Sequence, residues 1–284
     1  MSEPRQITAE TPAGAFRLLE WPADGGAPVL FLHGLTGIAE VWGPTVAALP
    51  TPHTRILATD QRGHGHSPQP ATGYDIEDFV SDVANVARAL ELPRFHLAGH
   101  SMGARVAMVF AASHPELLRS VSIIDIGPEE WRENWEETIA ALDRMPETYP
   151  SLEEAIGRAG RARGGESADA ALAGGQLADI ARARWRRRSD GAWEPLAARD
   201  ALRQAVRSHR SRDFWAEWRA IEPPALFIRG GTSTEVREFI SDRMRAENPR
   251  VEFVQFEDVG HNIPLIAPTK LAATLYAFWR STSA

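Results

Sequence analysis

Four short apolar runs in the first 125 residues each stop abruptly at polar or glycine punctuation, and no other feature constrains the fold of this chain as strongly. Val29–Leu32 runs into His33-Gly34, Arg55–Thr59 into Asp60, Phe95–Ala98 into Gly99, and Val121–Ile124 into Asp125. Helical patterns lie between them. Phe79, Val80, Val83, Ala84, Val86, Ala87 and Leu90 recur at helical spacing, and Met102 to Ala112 is apolar nearly all round, as in a buried central helix. This alternation predicts βαβ units that feed a parallel sheet, with ligands gathered outside the C-terminal ends of the strands. The pattern resumes after residue 219. Ala225–Ile228 and Val251–Phe256 read as strands around a helix over 235–247, and Ile263–Arg280 reads as a closing helix broken early by Pro264 and Pro268.

The stretch 128–218 is different. Strand patterns are hard to find there, and six of the nine tryptophans fall in it: Trp131, Trp135, Trp185, Trp193, Trp215 and Trp218. The expected organisation is an α/β core of residues 1–127 and 219–284 with a helical insertion of residues 128–218. Charge is segregated within the insertion, because Glu129 to Glu154 is acid-rich whereas Arg158 to Arg188 is arginine-rich. Two readings stay open: solvated helix faces pairing with one another, or an arginine at the mouth of a pocket that attracts an anionic substrate.

Composition removes several classes of function. With 38 acidic against 31 basic side chains the net charge is −7, which disfavours a nucleic-acid partner. Cysteine is absent, so thiol nucleophiles, disulfides and thiolate metal sites are excluded together. The single lysine, Lys270, lies in the closing helix and is a poor Schiff-base candidate. No apolar leader precedes Gly14, and no run of about 18 apolar residues occurs, so a cytoplasmic address without membrane contact is expected. Neither a metal motif nor a Gly-x-Gly-x-x-Gly after a strand is present, so no cofactor and no metal are expected.

The chemistry centres on Gly99-His100-Ser101-Met102-Gly103, which follows a strand and opens a helix. A residue on so tight a turn projects from the sheet, provided that glycines two positions either side remove clashing Cβ atoms. A serine there needs an imidazole to take its proton and a carboxylate to hold that imidazole. His261, in Asp258-Val259-Gly260-His261-Asn262 after the last strand, lies on the same sheet edge. His53, His96, His114 and His209 have no comparable setting, and His64 and His66 read as loop-structuring groups rather than metal ligands.

Taken with His33-Gly34-Leu35-Thr36 and Asp60-Gln61-Arg62-Gly63-His64-Gly65-His66-Ser67, these motifs make the chain resemble an α/β-hydrolase fold protein with a helical cap. The resemblance implies that the backbone N–H groups of Leu35 and Met102 form an oxyanion hole. It leaves the acid open. The usual position, a Gly-x-x-Asp after the strand Ala225–Ile228, reads Gly230-Gly231-Thr232-Ser233, and a serine cannot supply a carboxylate. Asp125, which resembles the acid of those family members that carry it one strand earlier, is the preferred candidate, and Glu235 is the other. The expected activity is a Ser-His-Asp carboxylic ester hydrolase of the esterase or lactonase kind acting on a small ester or lactone, with amide cleavage open. The alternatives are a non-catalytic receptor and a cofactor-free oxygenase or perhydrolase. His33, Trp131, Trp135, Trp185 and Trp193 are expected at the substrate, although His33 could instead brace its loop and the tryptophans could form the insertion's own packing. The expected partner is a small-molecule substrate, anionic if the arginines face inward; the oligomeric state is not readable.

Overall fold

A computed structural model describes residues 3–50, 54–129, 135–161 and 175–282. Eight strands form one sheet: β1 (Arg5–Thr11), β2 (Gly14–Trp21), β3 (Val29–Leu32), β4 (Ile56–Thr59), β5 (Phe95–His100), β6 (Leu118–Ile124), β9 (Ala225–Gly230) and β10 (Val251–Phe256). Their spatial order is β1-β2-β4-β3-β5-β6-β9-β10. From β4 to β10 every pairing is parallel, while β2 runs antiparallel to both β1 and β4. The chain therefore builds outward from β3 to β4, then restarts on the other side of β3 with β5. That reversal opens a crevice between the ends of β3 and β5, where open α/β sheets bind ligands.

The apolar runs are continuous because both sheet faces are covered. Leu30 and Leu32 of β3 join Leu97, Val121, Ile123 and Phe227 in a core shared with the helices Ile76–Ala89, Met102–Ser113 and Trp215–Ala220. Val29 and Phe31 point the other way, with Ala98, Ile124, Leu226 and Ile228, onto Trp42 and the helix Pro268–Ser281. Such alternation follows from the two-residue period of a strand. Phe31 and Trp42 stack with ring centroids 4.3 Å apart. Ten of the twelve residues of Met102–Ser113 are buried, in keeping with the apolar pattern of that segment.

Three features depart from the sequence reading. The polar N-terminal segment forms the β1–β2 hairpin, whose outer strand alternates exposed and inward residues at the sheet edge. The insertion holds a second hairpin, β7 (Trp185–Arg187) with β8 (Trp193–Pro195), among its helices. Asp190-Gly191 at its tip, with Gly191 at φ +90°, is an ordinary hairpin signal. The helix Trp215–Ala220 straddles the expected boundary at 218 and packs against Met102–Ser113, so Trp215 and Trp218 belong to the sheet core. Among the described residues no helix is long and apolar enough to cross a membrane.

Candidate active site

Ser101 occupies the turn between β5 and the helix Met102–Ser113 at φ +54°, ψ −120°, a conformation that costs a non-glycine residue roughly 1–3 kcal/mol. The surrounding structure holds it there. Its backbone N–H donates to the Ile124 carbonyl at 2.9 Å, which ties the turn to β6. A Cβ on Gly99 would lie 2.1 Å from the Gly103 carbonyl oxygen, and one on Gly103 would lie 2.6 Å from the carbonyl oxygens of Leu32 and His33. Both glycines are therefore needed for the helix start to press against the strand ends. Of the four non-glycine residues at positive φ among the described residues, three lie at this rim: Thr36, Ser101 and Asp125.

A continuous hydrogen-bonded chain leads away from Ser101. Its hydroxyl donates to His261 Nε2 at 2.9 Å, and His261 Nδ1–H donates to Asp125 Oδ2 at 2.7 Å. The carboxylate fixes this tautomer, since a carboxylate only accepts and so needs the proton on Nδ1. Asp125 is fully buried at the end of β6, and an unpaired charge there would be costly. It is satisfied on both oxygens. Gly230 N–H donates to Oδ1 at 2.8 Å, and the Ser233 hydroxyl donates to Oδ2 at 2.5 Å. The carboxylate against His261 is thus that of Asp125, while Glu235 borders the cavity and donates its backbone N–H to Ser233 Oγ at 3.2 Å.

Ser233 is a site residue that sequence reasoning passed over. It stands where a family acid would ordinarily stand, and because β6 and β9 are neighbours its hydroxyl reaches the aspartate relocated to the adjacent strand. His100 is a second. Its Nε2–H donates to the backbone carbonyl of His261 at 2.7 Å, and its ring lies against that of His261 at a centroid distance of 4.8 Å. Burial, reinforced by the neighbouring His261, pushes His100 down to about 3, so it is neutral near pH 7 and adds no charge beside the imidazole.

Leu35 and Met102 both border the cavity next to Ser101. Met102 is the first residue of its helix, where backbone N–H groups lack an intrahelical acceptor, and a Cβ on Gly34 would lie 3.0 Å from Ser101 Cβ. The loop carrying Leu35 is braced from behind. His64 Nε2 accepts from Thr36 N–H at 3.4 Å, and burial pushes His64 down to about 3. His33 accepts from Gln61 N–H at 3.0 Å and donates from Nδ1 to the Gly34 carbonyl at 2.8 Å. His33 is fully buried, which pushes it down to about 4, and it is not part of the cavity wall. The expectation that it touches substrate is corrected: both ring nitrogens are spent on the loop.

The cavity measures about 490 Å³. Its wall combines apolar side chains, among them Ile126, Leu142 and Val206, with Arg105, Arg184 and Arg210. No tryptophan among the described residues lines it. Trp185 and Trp193 pack instead with Tyr149, Ala155 and Ile156 in a small core of the insertion, the Tyr149 and Trp185 rings meeting edge to face at 5.2 Å. Their expected place at the substrate is corrected accordingly. Trp131 and the side chain of Trp135 lie outside the described residues, as does His53. The arginines of the insertion divide between the surface and the cavity. Arg182, Arg186 and Arg188 form exposed pairs with Asp179, Glu194 and Asp190, whereas Arg184 faces the cavity.

A family model described as alpha/beta hydrolase fold matches residues 27–268. The chain belongs to the alpha/beta hydrolase fold family. This hydrolase is 33% identical over 249 residues to the 2-(acetamidomethylene)succinate hydrolase of Mesorhizobium japonicum, a match covering 86% of this chain and 84% of that one. Among solved structures, E-2-(acetamidomethylene)succinate hydrolase superposes with a TM-score of 0.86 at 26% identity, covering 97% of this chain and 98% of the other. The enol-lactonase of Burkholderia xenovorans shares the fold, with a TM-score of 0.77 at 21% identity and coverage of 96% and 100%.

Proposed function

We propose that this alpha/beta hydrolase is a serine hydrolase that cleaves an ester or amide bond, lactones included, in a small carboxylate-bearing molecule through an acyl-enzyme. The observation that carries the reading is the unbroken chain from Ser101 through His261 to Asp125, opening into a cavity of about 490 Å³. In this mechanism the Ser101 hydroxyl attacks the carbonyl carbon while His261 Nε2 takes its proton. Charge then develops on the carbonyl oxygen, and the N–H groups of Leu35 and Met102 receive it, each donor contributing on the order of 3 kcal/mol. Asp125 holds His261 in the required tautomer and stabilises the imidazolium. His261 returns the proton to the leaving oxygen or nitrogen, and water resolves the acyl-enzyme by the same route.

A substrate carrying a carboxylate is supported by Arg105, Arg184 and Arg210 in the wall, since guanidinium groups suit carboxylate geometry. It is supported also by the relative whose name specifies an acetamido group on a succinate skeleton. In this reading the substrate is the working partner, no cofactor enters the reaction, and the protein acts in the cytoplasm. The test is hydrolysis of p-nitrophenyl acetate and of N-acylated and O-acylated dicarboxylates by the unsubstituted protein and by Ser101→Ala. Turnover abolished by the substitution is expected. Turnover that survives it would overturn the serine mechanism, and ligand binding without any turnover would favour a receptor.

A further inference from the structure

One side chain of the cavity wall has no place in the mechanism. His209, the last residue of the helix Arg199–His209, lines the same cavity as Ser101 and is only 5% exposed. Among the described residues neither of its ring nitrogens has a hydrogen-bond partner. A buried neutral imidazole has one N–H to donate and one lone pair to fill, and leaving both unmet is unfavourable. The contrast with the other buried histidines of the site is direct, because His33, His64 and His100 each engage the ring in a hydrogen bond.

The surroundings of His209 indicate what would complete it. The ring meets Phe79 edge to face at 5.3 Å, which fixes its plane without using a nitrogen. Arg105 Nη1 donates to the His209 backbone carbonyl, and Arg210, the next residue, donates to Thr138 Oγ1 at 3.0 Å. Burial, followed by the charges of Arg105 and Arg210 and then His64, pushes His209 well below the ordinary histidine range. Cationic groups on the central helix and at the end of its own helix therefore surround a ring that offers an N–H. An acceptor of negative charge suits that setting best.

We propose that His209 is the substrate-recognition residue on this wall, its ring N–H donating to a carboxylate oxygen of the substrate in the field of Arg105, Arg184 and Arg210. The proposal rests on the reading of the cavity as the substrate site and adds a named contact to it. His209 selects among molecules that Ser101 could attack; it takes no part in bond making.

The experiment measures binding, so that it does not depend on turnover. Succinate affinity is determined by calorimetry for Ser101→Ala alone and combined with His209→Leu or His209→Gln. Leucine is expected to weaken succinate at least about 10-fold, while glutamine, which keeps a donor and an acceptor, stays within about threefold. In ¹⁵N-histidine-labelled Ser101→Ala, the ring resonance absent from the His209→Gln spectrum is expected to shift on succinate addition. That readout needs only a folded protein with His209 present. Equal succinate affinity in all three proteins, or an unmoved His209 resonance under saturating succinate, would overturn the proposal. Ester turnover by the unsubstituted protein with no succinate binding would overturn this subsite and spare the hydrolase reading. Succinate bound through His209 in a protein without turnover would do the reverse.

Discussion

The rim of the sheet and the insertion above it are held together by different means. At the rim Ser101 and Asp125 are fixed by the backbone of the next strand: Ser101 N–H on Ile124 of β6, Asp125 N–H on Ile228 of β9, and Gly230 N–H on the Asp125 carboxylate. The geometry there is set by a ladder of buried hydrogen bonds and cannot drift by one residue without losing all of them. In the insertion, apart from Ala201, Ala205 and the segment 214–218 that join the sheet core, the order is local. Ile139, Leu142, Leu202 and Val206 form one small core and Tyr149, Ile156 and Trp185 another, with exposed arginine–carboxylate pairs outside them. Such exposed pairs contribute little each, about 1 kcal/mol or less. A rigid rim suits chemistry that must not vary, and a separately packed cover suits a pocket whose shape can change without disturbing it.

This contrast is broken most easily at the acid. Asp125→Asn is expected to lower kcat about 10³–10⁴-fold, because an amide no longer enforces the His261 tautomer, whereas Glu235→Gln changes it less than about 10-fold. Steady-state kinetics on a common ester compares the two, and the opposite ranking would move the acid to the loop after β9. Next in size is Trp185→Ala in the insertion's own core, expected to cost about 3 kcal/mol of stability in thermal or denaturant unfolding while kcat per folded molecule on a neutral ester changes little. A large kcat loss with unchanged stability would place Trp185 at the substrate after all.

The histidines around the sheet give a pH test. Burial sets His33 and His96 at about 4 and His64 and His100 at about 3. Their unfolded counterparts titrate near 6.5, so between these values the unfolded chain binds more protons and stability rises with pH. The contribution is fully present above about pH 6.5 and is lost as pH falls toward 4 and 3. His96, which meets Ser120 Oγ at 2.7 Å away from the cavity, isolates the effect. His96→Gln is expected to flatten the acid limb by on the order of 2 kcal/mol at pH 5 in urea unfolding; an unchanged slope would contradict it. The smallest effect is Ser233→Ala, which removes one of the hydrogen bonds on Asp125 and is expected to lower kcat about 10-fold, with the acid limb of the pH–rate profile displaced.

What could be read from the amino acids follows the same division. The strands β3 to β6 and β9 were legible because burial on both faces makes them nearly unbroken apolar runs, β10 because Val251, Phe253, Val254 and Phe256 keep it mostly apolar at the sheet edge, and Gly99 with Gly103 marked the turn that carries Ser101. The β1–β2 hairpin was not, since an edge strand such as Gln6-Ile7-Thr8-Ala9-Glu10 buries little and reads as polar loop. Asp125 and Glu235 stood as alternatives because spacing along the chain does not tell which carboxylate reaches the imidazole; in the fold it is Asp125 that lies against His261. Trp185 and Trp193 fall in a hairpin packed on the insertion's own helices, and His209 continues the buried stripe Ala201, Ala205 of its helix, so no local pattern told cavity from core.

In the proposed mechanism Ser101 carries the acyl group. Acid-quenched reaction with p-nitrophenyl butyrate, followed by peptide mass spectrometry, tests it most directly. A butyryl adduct on the peptide containing Ser101, absent from Ser101→Ala, is the expected result; nitrophenol release with the adduct on another residue, or with none, would contradict it.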